Sequence, residues 1–249
     1  MEQRPPIRGT RMPSADWQAA CERALTEASS ASEPMLGTVR AHLGARIVLH
    51  ASALYRDLLH VCEVSLAGPL TTSTLARFRV AEDSEGGTQL VGADPEIEFA
   101  NTDGVNPWAL VRRVLPPFEE YTADGPGDSP EPAPLTIDDE TGARLRELLA
   151  SEDFDAARVR AALPQEWRDL QVADSAASLT LFVKDAAGAV TGVGAAGWFR
   201  GHRTGLIRLT SVEGAPLLER VPAGDVARTV QWFVLGALDS VEREARRDG

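Results

Sequence analysis

Apolar residues recur at helical spacing through Trp17, Ala20, Cys21, Ala24, Leu25 and Ala28, behind Ser14, a residue type that caps helix N-termini. A second helix is predicted over 34–43. Apolar runs rich in β-branched residues then predict strands at 46–50, 59–66, 75–80, 88–91 and 96–99. Ser84-Glu85-Gly86-Gly87 between two of them reads as a hairpin turn. Asn106 followed by Pro107 is a helix start, and Trp108, Leu110, Val111, Val114 and Leu115 continue it. Beyond it, helices are predicted from Asp138 to about Ala150 and over 154–163. Strands are predicted at 179–184, 189–199, 206–212 and 217–221, and a long helix over 222–246. That helix carries Val226, Val230, Phe233, Val234, Ala237 and Val241 on one side, with Trp232 widening the stripe. The whole stripe is expected to pack on the sheet.

Between these runs lies YTADGPGDSPEPAP, residues 121–134, acidic and rich in Pro and Gly. It divides the chain into an N-terminal half, 1–120, and a C-terminal half, 135–249. Each half has helices, then an antiparallel meander, then a helix opened by Pro, so 66–116 can be laid against 180–238. The expected fold class is α+β: a quasi-two-fold repeat of β-meander plus helix, with the sheet packed against helices.

Composition narrows the partners. Of 249 residues, 37 are acidic and 25 basic, a net charge of −12, which lacks the footprint for phosphate backbones. No nucleic acid is expected. The basic N-terminal residues are not followed by the apolar run that a secretory signal needs. The most apolar stretch, 230–238, is about half the length that spans a bilayer. No membrane contact is expected, and a cytoplasmic location is.

Candidate chemistry is sparse. Gly192-Val193-Gly194-Ala195-Ala196-Gly197 has the spacing of a dinucleotide loop, but Trp198-Phe199-Arg200 continues a strand where that loop needs a helix. The glycines are read instead as lying in a strand, where they mark a bulge or a close backbone approach. His60 and Cys62 would share a strand face as a pair of metal ligands, but His42 and His50 sit on elements with no evident reason to converge there. Asp94, Glu96 and Glu98 alternate, as on a solvated strand face. His202 is read as a turn residue, and no Ser or Cys stands in a nucleophile elbow. Neither cofactor nor metal is expected, and no catalytic residue is assigned.

The second half nevertheless carries an ordered set of landmarks. They are SLTLFVKD, then Trp198-Phe199-Arg200, then Gly205-Leu206-Ile207-Arg208-Leu209, then Leu217 to Asp225 and the last helix. In that order they resemble the C-terminal half of the EspG family, the chaperones associated with type VII (ESX) secretion in actinobacteria. Asn106-Pro107-Trp108-Ala109-Leu110-Val111 and Leu115-Pro116 are similar to the close of that family's first half. The resemblance covers about residues 45–245, leaving the first helix unmatched. It implies a quasi-two-fold fold and a non-enzymatic cytosolic chaperone that binds secreted helical substrates. It also implies substrate contact through a hairpin of the first half, which here makes Glu82, Asp83 and Glu85 the candidate partner-binding residues. Two alternatives stand beside it: a small-molecule enzyme with its site between the halves, or a structural or regulatory homodimeric module.

Overall fold

The computed structural model describes residues 7–27, 33–82, 88–91, 96–125, 133–135, 138–150, 158, 161–164, 167–168, 173–201, 205–212 and 215–248. An α+β architecture results, with helices packed on a large antiparallel sheet. In chain order the strands are β1 (Arg8–Pro13), β2 (Ile47–Tyr55), β3 (Leu58–Ala67), β4 (Leu70–Glu82), β5 (Thr88–Val91) and β6 (Glu96–Asp103). They continue with β7 (Ala133–Pro134), β8 (Ser175–Lys184), β9 (Val190–Gly201), β10 (Gly205–Val212) and β11 (Ala215–Arg220). The helices are α1 (Ser14–Thr26), α2 (Pro34–Leu43), α3 (Pro107–Val111), α4 (Glu119–Thr122), α5 (Asp139–Ala150) and α6 (Asp225–Asp248).

The strands lie in the order β1-β6-β4-β3-β2-β8-β9-β10-β11-β7, with β5 on the far end of β4. Strands from the N-terminal and C-terminal parts of the chain meet where β2 pairs β8, from Ile47 opposite Val183 to Tyr55 opposite Ser175. Side chains alternate across a strand, so this register fixes two faces. One face carries Ile47, Leu49, Ala51, Cys62, Val64, Leu179, Leu181, Ala196 and Trp198, and packs under α3, α4 and α6 as the main core. The opposite face carries Phe99, which joins Met12, Ala24, Leu36 and Val39 in a smaller core beneath α1 and α2.

Several local signals act as their chemistry requires. Asn106 Oδ1 accepts from the Ala109 amide at 3.3 Å and caps α3, with Pro107 at the first helical position. Asp138 accepts from the Thr141 amide at 2.8 Å at the head of α5. Ser14 differs from expectation: it is the first residue of α1, and Pro13 precedes it without a side-chain cap. The segment 8–13 is strand β1, held on β6 with Thr10 opposite Phe99. Tyr121, at the head of the acidic stretch, is fully buried in the turn of α4 and donates its hydroxyl to the Ser175 carbonyl at 3.1 Å. The helix predicted over 154–163 and the turn 84–87 lie mostly or wholly outside the described residues.

Candidate partner-binding surface

α6 begins on a buried carboxylate. Asp225 accepts from the Trp198 indole N–H at 3.0 Å, from Arg208 at 3.0 Å and from Arg228 at 2.6 Å. An acid at a helix N-terminus also meets the positive end of the helix dipole. Arg208 is shared with Glu219 of β11 at 2.6 Å, so the helix start is tied to β9, β10 and β11 together. From there Val226, Val230, Val234 and Ala237 enter the main core. Phe233 rests on β9, where a Cβ on Gly194 would stand 3.2 Å from its ring. The glycine-rich segment is a strand, as the residues after it indicate, and Gly194 is a point of close approach within it.

The remaining apolar residues of α6 face outward. Trp232 is 74% exposed and Leu235 67%, with Leu238 exposed beyond them. The stripe expected to pack on the sheet does so except at Trp232, which faces outward. Trp232, Leu235 and Leu238 lie three apart, and they run from Leu238, which adjoins Val234 at i+4, round to Leu235 and Trp232 on the side away from the sheet. A sequence signal existed: apolar residues at 226, 230, 234 and 237 and again at 232, 235 and 238 exceed one buried face.

A groove of about 630 Å³ runs along one flank of this ridge, between α3 and α6. Val105, Trp108 and Ala109 line it on one side and Val234, Leu235 and Leu238 on the other. Asp124 accepts from the Trp108 indole N–H and from Arg112, each at 3.0 Å, which fixes the indole at the groove wall. A smaller hollow of about 380 Å³ lies on the other flank, where Trp232 and Phe233 meet Arg208 and Arg228. Exposed Trp beside fixed Arg matches the residue types enriched in protein-binding hot spots, and the neighbouring Leu side chains add apolar area around it.

Elsewhere the structure revises the candidate chemistry. His42 and His50 do converge, on Glu63: His42 Nε2 lies 3.3 Å from one carboxylate oxygen and His50 Nε2 2.9 Å from the other. His42, near the end of α2, is buried on that helix's inner side, edge-on to Trp17 and Phe99, with Nδ1 2.9 Å from the Thr72 hydroxyl. The His42 hydrogen bond holds the Glu63 carboxyl below its ordinary value, against burial, which pushes it up. His60 and Cys62 lie on the other face. The His60 ring bonds the Val114 carbonyl at 3.1 Å, and burial pushes the Cys62 thiol up to about 12, away from the thiolate that binds metals. Among the described residues no group of three or more His, Cys, Asp or Glu is placed to hold a metal ion.

Glu98 is not on a solvated face. It is buried, and Arg11, Arg77 and Arg113 surround it. Glu96 is exposed, and Asp94 lies outside the described residues. Of the candidate partner-binding residues, Glu82 ends β4 opposite Thr88 of β5, while Asp83 and Glu85 lie outside the described residues, as does His202. At the seam of the halves a trough of about 600 Å³ is lined by Leu54, Leu59, Phe199, Leu209 and the hydroxyls of Ser52, Ser178 and Thr180. Its described lining holds no acid, base or thiol for catalysis. No helix among the described residues is long and apolar enough to cross a membrane.

No protein-family model matches this chain. No curated protein matches it either. Among solved structures, it is similar to the type VII secretion system chaperone EspG5 of Mycobacterium tuberculosis, solved in complex with a PE25-PPE41 dimer. That likeness covers 94% of this chain and 97% of EspG5, at 11% identity and a TM-score of 0.47. A DnaN sliding clamp from Bartonella birtlesii bound to griselimycin aligns over 89% of this chain and 67% of its own, at 7% identity and a TM-score of 0.13.

Proposed function

We propose that this chain is a non-enzymatic, cytosolic binding protein of the secretion-chaperone kind, which holds a helical secretion substrate on the ridge and groove of α6. The observation that carries this reading is the outward stripe of Trp232, Leu235 and Leu238 beside a groove walled by Trp108. An amphipathic helix laid along such a groove buries its own apolar face in exchange. The landmarks around Trp198 and Asp225, which carry the family resemblance, are the residues that seat α6 on the sheet. The test is affinity capture from the source cells by the tagged chain and by a Trp232→Ala/Leu235→Ser variant. A secreted helical protein should co-elute with the wild type and fall at least about tenfold with the variant, since truncating a hot-spot Trp costs about 2 kcal/mol or more, above the ~1.4 kcal/mol of a tenfold change. Equal recovery by both, or no secreted helical protein with either, sinks the reading.

The quasi-two-fold repeat belongs to the same proposal, with 1–120 and 135–249 as its halves. Its support is the strand order outward from the seam: β2, β3, β4, β6, β1 on one side and β8, β9, β10, β11, β7 on the other. A crystal structure in which 59–116 and 178–240 fail to superpose would remove it.

A further inference from the structure

Beyond α3, on the same face as α6, three guanidinium groups converge on one carboxylate. Glu98 lies on the floor of this cluster with its side chain 7% exposed. Arg11 of β1 approaches it at 3.3 Å, Arg77 of β4 at 3.6 Å, and Arg113, just past α3, donates a hydrogen bond to its other oxygen. The arginines stand above it, Arg11 with 63% of its side chain in solvent and Arg77 and Arg113 partly open. Two carboxylate oxygens cannot use all the donors that three guanidiniums present, since each carries five N–H groups in a fixed fork. The ladder places Arg79 on this face too, exposed, and Glu96 as the one further acid on this face of β6.

We propose that the Arg11–Arg77–Arg113 cluster is an acceptor site for a short acidic segment of a protein partner, with Glu98 as the group that organises it. A buried carboxylate holds the guanidiniums in place before a ligand arrives, so little rotamer entropy is lost on binding. Carboxylate side chains match the guanidinium fork two oxygens at a time. The site is too small for a polyanion. Binding to nucleic acid rests on many phosphate contacts, and a chain of net charge −12 repels any strand that runs past the cluster. A local basic patch on an acidic protein acts as an orienting contact: it selects the end of the partner that carries its acids.

The probe is an acetylated, amidated tetraglutamate peptide, titrated into the full-length ¹⁵N-labelled chain in about 50 mM salt, where screening is weaker. The Nε–Hε signals of Arg11, Arg77 and Arg113 should shift together and saturate. Arg11→Gln/Arg77→Gln should weaken binding at least tenfold, because Arg113 keeps Glu98 paired while the outer donors are gone. Trp232→Ala/Leu235→Ser should leave peptide binding unchanged, which separates this site from the groove on α6. If the double arginine variant melts early, Arg11→Gln alone replaces it, with a several-fold loss expected. No saturable shift, unchanged affinity in the arginine variants, or tighter binding of inorganic phosphate than of the peptide would each overturn the proposal.

Discussion

Gly194 lies beneath the ring of Phe233, so close that a Cβ there would stand 3.2 Å from Cζ and 3.3 Å from Cε1. The ring is therefore seated on bare backbone in the middle of β9. Gly194→Val should lower stability by about 1–3 kcal/mol, the usual cost of forcing extra atoms into a packed site. Phe233→Leu should relieve part of that loss in a double-mutant cycle read by urea unfolding. Additive losses would show that the two residues do not share the space.

Asp225 gathers three donors with no solvent exposure of its own. Asp225→Ala leaves the largely buried Arg208 with Glu219 alone and strips the Trp198 indole N–H of its acceptor. A loss of about 3–5 kcal/mol follows from breaking a buried charge pair on one side. Asp225→Asn should lose less, since its carbonyl still accepts from the indole. Thermal unfolding of the three proteins gives the ranking.

Exposure separates Trp232 from Trp198, although each is a tryptophan facing α6 or lying on it. Trp232→Ala should shift stability by no more than about 0.5 kcal/mol, the range of surface substitutions. Trp198→Ala, fully buried, should cost about 3–5 kcal/mol. A large loss from Trp232→Ala would mean that the ridge is part of the core.

Glu63 and Glu98, two carboxylates that folding holds below their ordinary values, should contribute to the acid limb of stability. The hydrogen bond from His42 holds Glu63 below the ordinary value of 4.5, more strongly than burial raises it. At Glu98 burial pushes upward, but the Arg113 hydrogen bond, the charges of Arg113 and Arg77 and the Arg11 hydrogen bond together bring it below 4.5. A carboxyl lowered on folding contributes stability that is complete above its unfolded value and is lost as pH falls through the folded one. Urea unfolding should therefore show stability falling below about pH 4.5. A Glu63→Gln/Glu98→Gln variant should be weaker at pH 7 and flatter across that window. An acid limb of unchanged steepness in the variant would assign it to other groups.

For Glu82, Asp83 and Glu85, at the end of β4 and just past it in sequence, we propose a third contact. Replacing Glu82, Asp83 and Glu85 together by Ser should reduce partner capture and leave the melting temperature unchanged. Full capture by this variant would remove these residues from consideration. Early melting would show them to be structural.

How much of this was legible follows from the range of the interactions. The Asn106–Pro107 helix start and the Asp138 cap rest on bonds across three residues, and both were readable from adjacent residue types. The Gly192–Gly197 segment was readable as strand because Trp198-Phe199-Arg200 continues it. Glu98 was not readable, because its burial depends on Arg11, 87 positions away, and on Arg77 and Arg113 arriving at the same point. Tyr121 was hidden by its acidic neighbours, and its acceptor, Ser175, is 54 positions on. The exposure of Trp232 was not readable, because periodicity counts apolar residues and does not say how many of them the sheet has room to cover.

The seam between β2 and β8 has a consequence for synthesis. Tyr55 leaves the ribosome before its partner Ser175 exists, and roughly 120 residues must be added between them, about 6–24 s at ~5–20 residues per second. Through that interval β3 protects one side of β2, while the row of backbone groups from Ile47 to Tyr55 on the other side stays bare. The nascent first half thus waits with a nine-residue template open to any passing strand, and only the emergence of Ser175–Lys184 closes it.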